Sequence, residues 1–200
     1  EQADGNAYQQ LTEANILQVP HSIEALQLLV AHHRKQYNIP LVGITGSNGK
    51  TIVKEWLSQL LALQYAVVKS PQSYNSQVGV PLSAWMICDE HQYGIFEAGI
   101  SLPGEMAKLE RILRPTIGLF TNIGTAHDHG FLSQLQKIQE KALLFQNCTS
   151  IYYCLDHSPI HQVLQEQYQG KAELITWSWQ TNAATYHVQK QLLSAGTQTA

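Results

Sequence analysis

Apolar positions in this chain fall into two alternating rhythms: short continuous runs, and longer stripes at helical spacing. Residues 1–20 are polar and weakly patterned and read as a tail or linker. From Ser22, placed as a cap, Ile23, Leu26, Leu29, Val30 and His33 recur at helical spacing, and Asn38-Ile39-Pro40 ends that helix. Leu41 to Thr45 is an apolar run that predicts a buried strand. A helix follows from Lys50 to about Gln64, with Ile52, Val53, Trp56, Leu57, Leu60 and Leu61 as a broad apolar stripe. Tyr65–Lys69 predicts a short strand, residues 70–76 a turn-rich stretch, and Val80–Cys88 a helix. Tyr93–Glu97 is a strand that stays apolar until it ends in an acid. Pro103-Gly104-Glu105 opens a helix that buries Met106, Leu109, Ile112 and Leu113. Strands are expected at Thr116–Thr121, Ile151–Leu155, Ala172–Trp177 and Thr185–Gln189, helices at Leu132–Gln146 and Pro159–Gln167, and a loop from Asn122 to Phe131.

Strands that alternate with helices and are apolar nearly throughout call for a mainly parallel sheet covered on both faces, a doubly wound α/β domain. Ligands of such sheets bind at the carboxyl ends of the strands. The expected division is a linker and entry helix over 1–38 and one α/β domain over 39–200.

Composition narrows the class. A length of 200 residues suits one domain with a short appendage, and 44% hydrophobic residues suffice for a core. A net charge of −3 argues against a nucleic-acid footprint. No apolar run reaches membrane-spanning length, and Glu1-Gln2-Ala3-Asp4 lacks a secretory pattern. The first residue is not Met, so the chain is expected to be a piece of something longer. Cys88, Cys148 and Cys154 are odd in number and form no C-x-x-C, which fits a reduced, cytoplasmic setting. The sequon Asn147-Cys148-Thr149 is discounted on that ground. Cys154, His157 and His161 have loosely zinc-like spacing but no evident fourth ligand.

The candidate chemistry starts at Gly43-Ile-Thr-Gly46-Ser47-Asn48-Gly49-Lys50-Thr51, between the first core strand and its helix. Gly46 and Gly49 permit backbone angles that other residues resist. The free N–H groups of the helix start favour an anion in the loop. Lys50 adds a mobile positive charge, and the Thr51 hydroxyl can reach a magnesium ion. The spacing is not the standard P-loop, because Ile44 stands where its first glycine would be. An ordinary glycine strand-to-helix turn is the plainer alternative.

Two further strand ends carry polar chemistry. Glu97 closes an apolar strand, a costly place for a carboxylate unless a cation meets it, and magnesium takes such oxygen ligands. The other strand leads into Thr121-Asn-Ile-Gly-Thr-Ala-His127-Asp128-His129, where the histidines are open as metal ligands, a base, or a polar loop. Asn75 is open as a nucleotide contact or a turn former. On spacing alone, Lys141 reads as a solvated helix lysine.

Taken together, Gly43–Thr51, Asn75-Ser-Gln-Val-Gly-Val-Pro-Leu82, Phe96-Glu-Ala-Gly99 with Pro103-Gly-Glu105, and Thr121–His127 with Gly130-Phe131 resemble the Mur ligase family. These are ATP-dependent amino-acid ligases of peptidoglycan assembly. The match is closest to the MurF type, which adds D-alanyl-D-alanine to UDP-MurNAc-tripeptide. The stretch from Glu97 to Phe131 also resembles the ligase half of chains fused to an alanine racemase.

The resemblance covers about residues 20 to 180 and implies roles. Residues 39–200 would be most of the ATP-binding central domain, truncated at its C-terminal end. Gly46, Ser47, Asn48, Gly49 and Lys50 would hold the β- and γ-phosphates of ATP, with Asn75 near them. Thr51 and Glu97 would ligate one Mg2+ and His127 a second. Lys141, fourteen residues after His127, would be the family's carbamylated lysine, a carboxylate-like metal partner. The tripeptide carboxylate would attack the γ-phosphate, and the amine of D-Ala-D-Ala would displace phosphate from the acyl phosphate. The family's domains for the UDP-sugar and the incoming amino acid do not fit in this length, so the isolated chain is expected not to ligate. His129, where many MurF-type chains have an acid, and Ala98, where they have Leu, depart from the pattern. Rival readings are another ligase of the superfamily (MurE-type or folylpolyglutamate-type), a P-loop binding module without ligation, and a non-enzymatic α/β interaction domain.

Overall fold

The structure is a computed structural model, and it describes residues 17–124 and 130–189. His127 and His129 lie outside the described residues.

Seven strands form one sheet among the described residues: β1 (Leu41–Thr45), β2 (Val67–Lys69), β3 (Tyr93–Glu97), β4 (Ile117–Phe120), β5 (Ser150–Cys154), β6 (Glu173–Ser178) and β7 (Tyr186–His187). The order is β2-β3-β1-β4-β5-β6-β7, and every pairing is parallel. The expected doubly wound α/β fold is therefore present. The order changes direction beside β1, and in such a sheet the crevice at that switch is the ligand site.

Six α-helices accompany the strands among the described residues: α1 (Ser22–Arg34), which precedes β1, and α2 (Lys50–Leu61), α3 (Gly79–Ala84), α4 (Glu105–Leu113), α5 (Gln134–Ala142) and α6 (Ser158–Tyr168). Alternate strand residues divide between two cores. Leu41, Phe96, Phe120, Ile151 and Tyr153 join the larger one with Val30, Met106, Leu109, Ile138 and Ile160 from the helices. Val42, Ile44 and Ile95 point the other way, against Val53, Leu57 and Leu61 of α2. Both faces carry helices, but among the described residues α2 alone supplies the helical side of the smaller core.

Several boundaries shift. The helix expected over 132–146 is α5 plus a 3-10 turn over Leu143–Phe145, and Ser133 caps it by accepting from Gln136 N–H at 3.1 Å. Helix α3 stops at Ala84, short of Cys88, and β2 and β7 are shorter than their apolar runs. At α1 the cap position belongs to His21, which makes no side-chain capping bond. Two apolar stripes face the core only in part: Leu26 and Val30 of α1 and Val53, Leu57 and Leu61 of α2 pack inward. Ile23 and Leu29 of α1 are exposed while Gln27, Val30 and Arg34 are buried. Arg34 is held by the carbonyls of Leu113 (3.2 Å), Ile39 (3.2 Å) and Tyr37, so it serves as a polar staple to the end of α4. On α2, Ile52, Trp56 and Leu60 are exposed, and Lys54 and Ser58 are buried in their stead.

No helix among the described residues is long and apolar enough to cross a membrane. The zinc-like trio does not assemble: Cys154 is buried in β5, while His161 Nδ1 lies 2.8 Å from the Tyr153 hydroxyl. Among the described residues no three His, Cys, Asp or Glu converge to hold a metal.

Candidate functional site

The carboxyl end of β1 turns through Gly46–Gly49 into α2. Gly46 has φ +138°, and a Cβ there would meet Thr121 Oγ1 at 2.0 Å, so only glycine fits against the end of β4. Gly49 has φ +79° and stands at the N-cap of α2 with no side chain of its own to cap it, which leaves first-turn N–H groups to a ligand. The loop is stitched to the segment after β4. Ser47 N–H donates to Asn122 O (2.9 Å), Asn48 N–H to Asn122 Oδ1 (3.0 Å), Thr121 Oγ1–H to Asn48 O (2.7 Å) and Gly124 N–H to Ser47 Oγ (3.0 Å).

Lys50 folds back over this loop and donates to Gly46 O at 2.9 Å and Ser47 O at 3.4 Å. Burial pulls its pKa down, and the Glu97 charge opposes that. Thr51, one residue on, donates to Glu97 Oε2 at 3.0 Å and lies 3.3 Å from Ser73 Oγ. Glu97 is fully buried at the end of β3, and its N–H is held by Ser70 Oγ at 3.1 Å. Its second oxygen, Oε1, lies 3.1 Å from the Lys54 ammonium as an ion pair, off the line of a true hydrogen bond. A buried carboxylate with one oxygen on a hydroxyl, at the foot of a phosphate-type loop, is a donor set that suits a hard cation such as magnesium.

Lys141 reaches the same place from α5. It is buried, and its ammonium lies 3.4 Å from Gly46 O. Burial, then the charges of Lys50 and Lys137, push its pKa down to about 7. The solvated helix lysine suggested by spacing is thus replaced by a buried one facing the loop. Lys137, one turn earlier, donates to Gly124 O at 2.7 Å. A cavity of about 310 Å3 opens between these groups, lined by Gly46, Lys50, Asn75, Gln77, Ser101 and Lys141 among others. Asn75 is placed there by its carbonyl, which accepts Gly99 N–H at 2.7 Å.

The structure therefore brings Gly46, Ser47, Asn48, Gly49, Lys50, Thr51, Asn75, Glu97 and Lys141 to one end of the sheet. Sequence reading missed Lys54, Lys137 and Ser70. The only signal for Lys54 was its place four residues after Lys50, on the same helix face.

Known proteins bear on this arrangement. The model of the Mur ligase middle domain matches residues 44–199. This chain belongs to that family. It is 39% identical over 138 residues to the UDP-N-acetylmuramoyl-tripeptide–D-alanyl-D-alanine ligase of Treponema pallidum, covering 68% of this chain and 30% of that protein. The ligase of the same name from Synechocystis is 34% identical over 157 residues, 76% of this chain and 34% of that one. The crystal structure of Thermotoga maritima MurF ligase in complex with ADP superposes with a TM-score of 0.74 at 24% identity, over 85% of this chain and 40% of that one, a likeness of fold. The chain thus spans about a third of the length of the curated relatives it matches.

Proposed function

We propose that this chain is the nucleotide-binding domain of an ATP-dependent ligase that joins D-alanyl-D-alanine to UDP-MurNAc-tripeptide. The observation that carries the reading is that Lys50 and Lys141 line one cavity beside the Gly46 turn, with the Thr51–Glu97 pair next to Lys50 at the start of α2. The names borne by relatives at 34–39% identity support the substrate assignment.

Each group has a chemical task in this reading. The amides of Gly46–Gly49 and the α2 N-terminus receive the β- and γ-phosphates, and Lys50 swings from the loop carbonyls onto them. Thr51 and Glu97 would hold Mg2+, which when bound neutralises charge on the phosphates. His127 is assigned to a second ion by resemblance alone. Lys141, with its pKa near 7, offers an unprotonated amine in neutral solution. Its Nζ lone pair can add to CO2 with loss of an N–H proton, which converts the neutral amine into an anionic carbamate. In this reading the tripeptide carboxylate would attack the γ-phosphate, and the protein would contribute position and electrostatics. Asn75 lines the same cavity and would lie near the nucleotide phosphates. The UDP-sugar and the dipeptide would be bound largely by other parts of the intact protein, and residues 1–200 alone would make no ligation product.

The test is product formation by the intact protein from the tripeptide nucleotide, ATP and D-Ala-D-Ala, beside its Lys50→Ala variant. The reading predicts one phosphate released per amide formed in the wild type and neither in the variant. ATP hydrolysis that proceeds equally without the two acceptors would contradict it.

A further inference from the structure

Lys54 is the most deeply buried cation next to the site, with no exposed surface, and the phosphate-loop chemistry makes no use of it. Its ammonium has three protons and four oxygens around it. Ser70 O lies at 2.8 Å, Gln72 O is bonded as well, Glu97 Oε1 lies at 3.1 Å and Glu55 Oε1 at 3.2 Å. Glu55 is half-exposed and also pairs with Lys69 at the rim. Two glutamates and two lysines therefore form a cluster whose formal charges cancel. Lys54 also ties α2 to the Ser70–Gln72 segment, whose Ser70 hydroxyl fixes the Glu97 backbone.

This arrangement divides the two oxygens of Glu97. Oε1 belongs to Lys54 and Oε2 to Thr51. A cation arriving beside Thr51 meets one carboxylate oxygen whose charge is already matched. It also meets the positive charge of Lys50, and among the described residues no three acidic, His or Cys side chains converge to compensate. A free divalent ion finds little there to replace its water. The same ion carried by a polyphosphate brings its own negative charge, which Lys50 and the α2 N-terminus attract.

We infer that Lys54 is the resident counter-ion of Glu97, a positioning residue that makes the site accept a divalent cation only as a metal–polyphosphate complex and not as the free ion. The inference rests on the proposed role of Glu97 as a cation ligand. Lys54 touches neither the nucleotide nor the reacting atoms and acts through Glu97.

The test is Mn2+ binding to the intact protein, read from the paramagnetic resonance of the free ion, with and without ADP. Wild type should bind Mn2+ with ADP and show no saturable binding of Mn2+ alone over the same concentrations. Lys54→Gln, which keeps a donor for Ser70 O but loses the charge, should bind Mn2+ alone saturably over those concentrations, at least about tenfold tighter than the limit set by wild type. Lys54→Arg should behave as wild type. A purely structural role for Lys54 would not produce that gain of free-ion binding. A Lys54→Gln protein without the gain overturns the inference. So does wild type that binds Mn2+ alone as tightly as with ADP, a result that needs no variant to fold. Glu97→Gln separates the underlying reading: unchanged Mn2+ affinity in the presence of ADP would remove Glu97 as a ligand, whatever Lys54 does.

Discussion

Two buried lysines flank the phosphate loop and sit in opposite electrostatic settings. Lys54, on α2, has the carboxylates of Glu97 and Glu55 within 3.2 Å. Lys141, on α5, has no carboxylate at ion-pair distance among the described residues; it faces a carbonyl and feels two other cations. Burying a charge is costly, and the two regions meet that cost differently. At Lys54 the ammonium is kept and matched. At Lys141 burial and repulsion favour loss of the proton, which leaves a nucleophilic amine. The first region is charge-matched as built, whereas the second favours conversion of its lysine to an anionic form.

Variants can break this contrast. The largest effect is expected at Lys141→Ala in the intact protein, where ligation should fall about a hundredfold or more, since a group that organises transition-state charge is lost. A near-normal rate of amide formation would remove Lys141 from the machinery. Next, Lys54→Met leaves Glu97 buried and unmatched and should cost about 3–5 kcal/mol of stability by urea unfolding. Adding Glu97→Gln to it should return part of that loss, because a neutral partner no longer needs a cation.

The third expectation concerns pH. The folded pKa of Lys141 is lowered to about 7 from the ordinary lysine value of 10.5. Between these values the unfolded chain holds the proton and the folded chain has released it. Stability therefore rises with pH through that window, and the penalty is fully present below it. Wild type should gain on the order of 2 kcal/mol between pH 7 and 9 relative to Lys141→Met, whose curve lacks this slope. Parallel curves for the two proteins would contradict the lowered pKa. The smallest effect is expected at Ile52→Ala. Ile52 is exposed on α2, and its loss should change stability by less than about 0.5 kcal/mol in the same unfolding measurement.

That last variant marks where sequence reading stops. The strand runs, their order along the chain and the glycine turn into α2 were legible because a parallel sheet buried on both faces demands near-continuous apolar segments. The apolar stripe of α2 misled for a physical reason. Val53, Leu57 and Leu61 do pack inward, but the other edge of the stripe, Ile52, Trp56 and Leu60, faces out, opposite the buried Lys54 and Ser58, and hydrophobicity alone assigns that edge to the core. The lysine face turns inward because Glu97, remote in sequence, waits at the end of β3. Local patterns carry no record of such a pairing. The same limit explains Lys141, a solvated lysine by spacing and a buried one in the fold; resemblance to a family, not periodicity, singled it out. Residues 125–129, with His127, lie outside the described residues.

The contrast between the two lysines comes down to whether Lys141 takes an anionic form that Lys54 cannot. Carbon-13 magnetic resonance of the intact protein in labelled bicarbonate at neutral pH measures this directly. A carbamate carbonyl signal should appear in wild type, persist in Lys54→Arg and vanish in Lys141→Met. No such signal in wild type, or one that survives in Lys141→Met, would contradict the account.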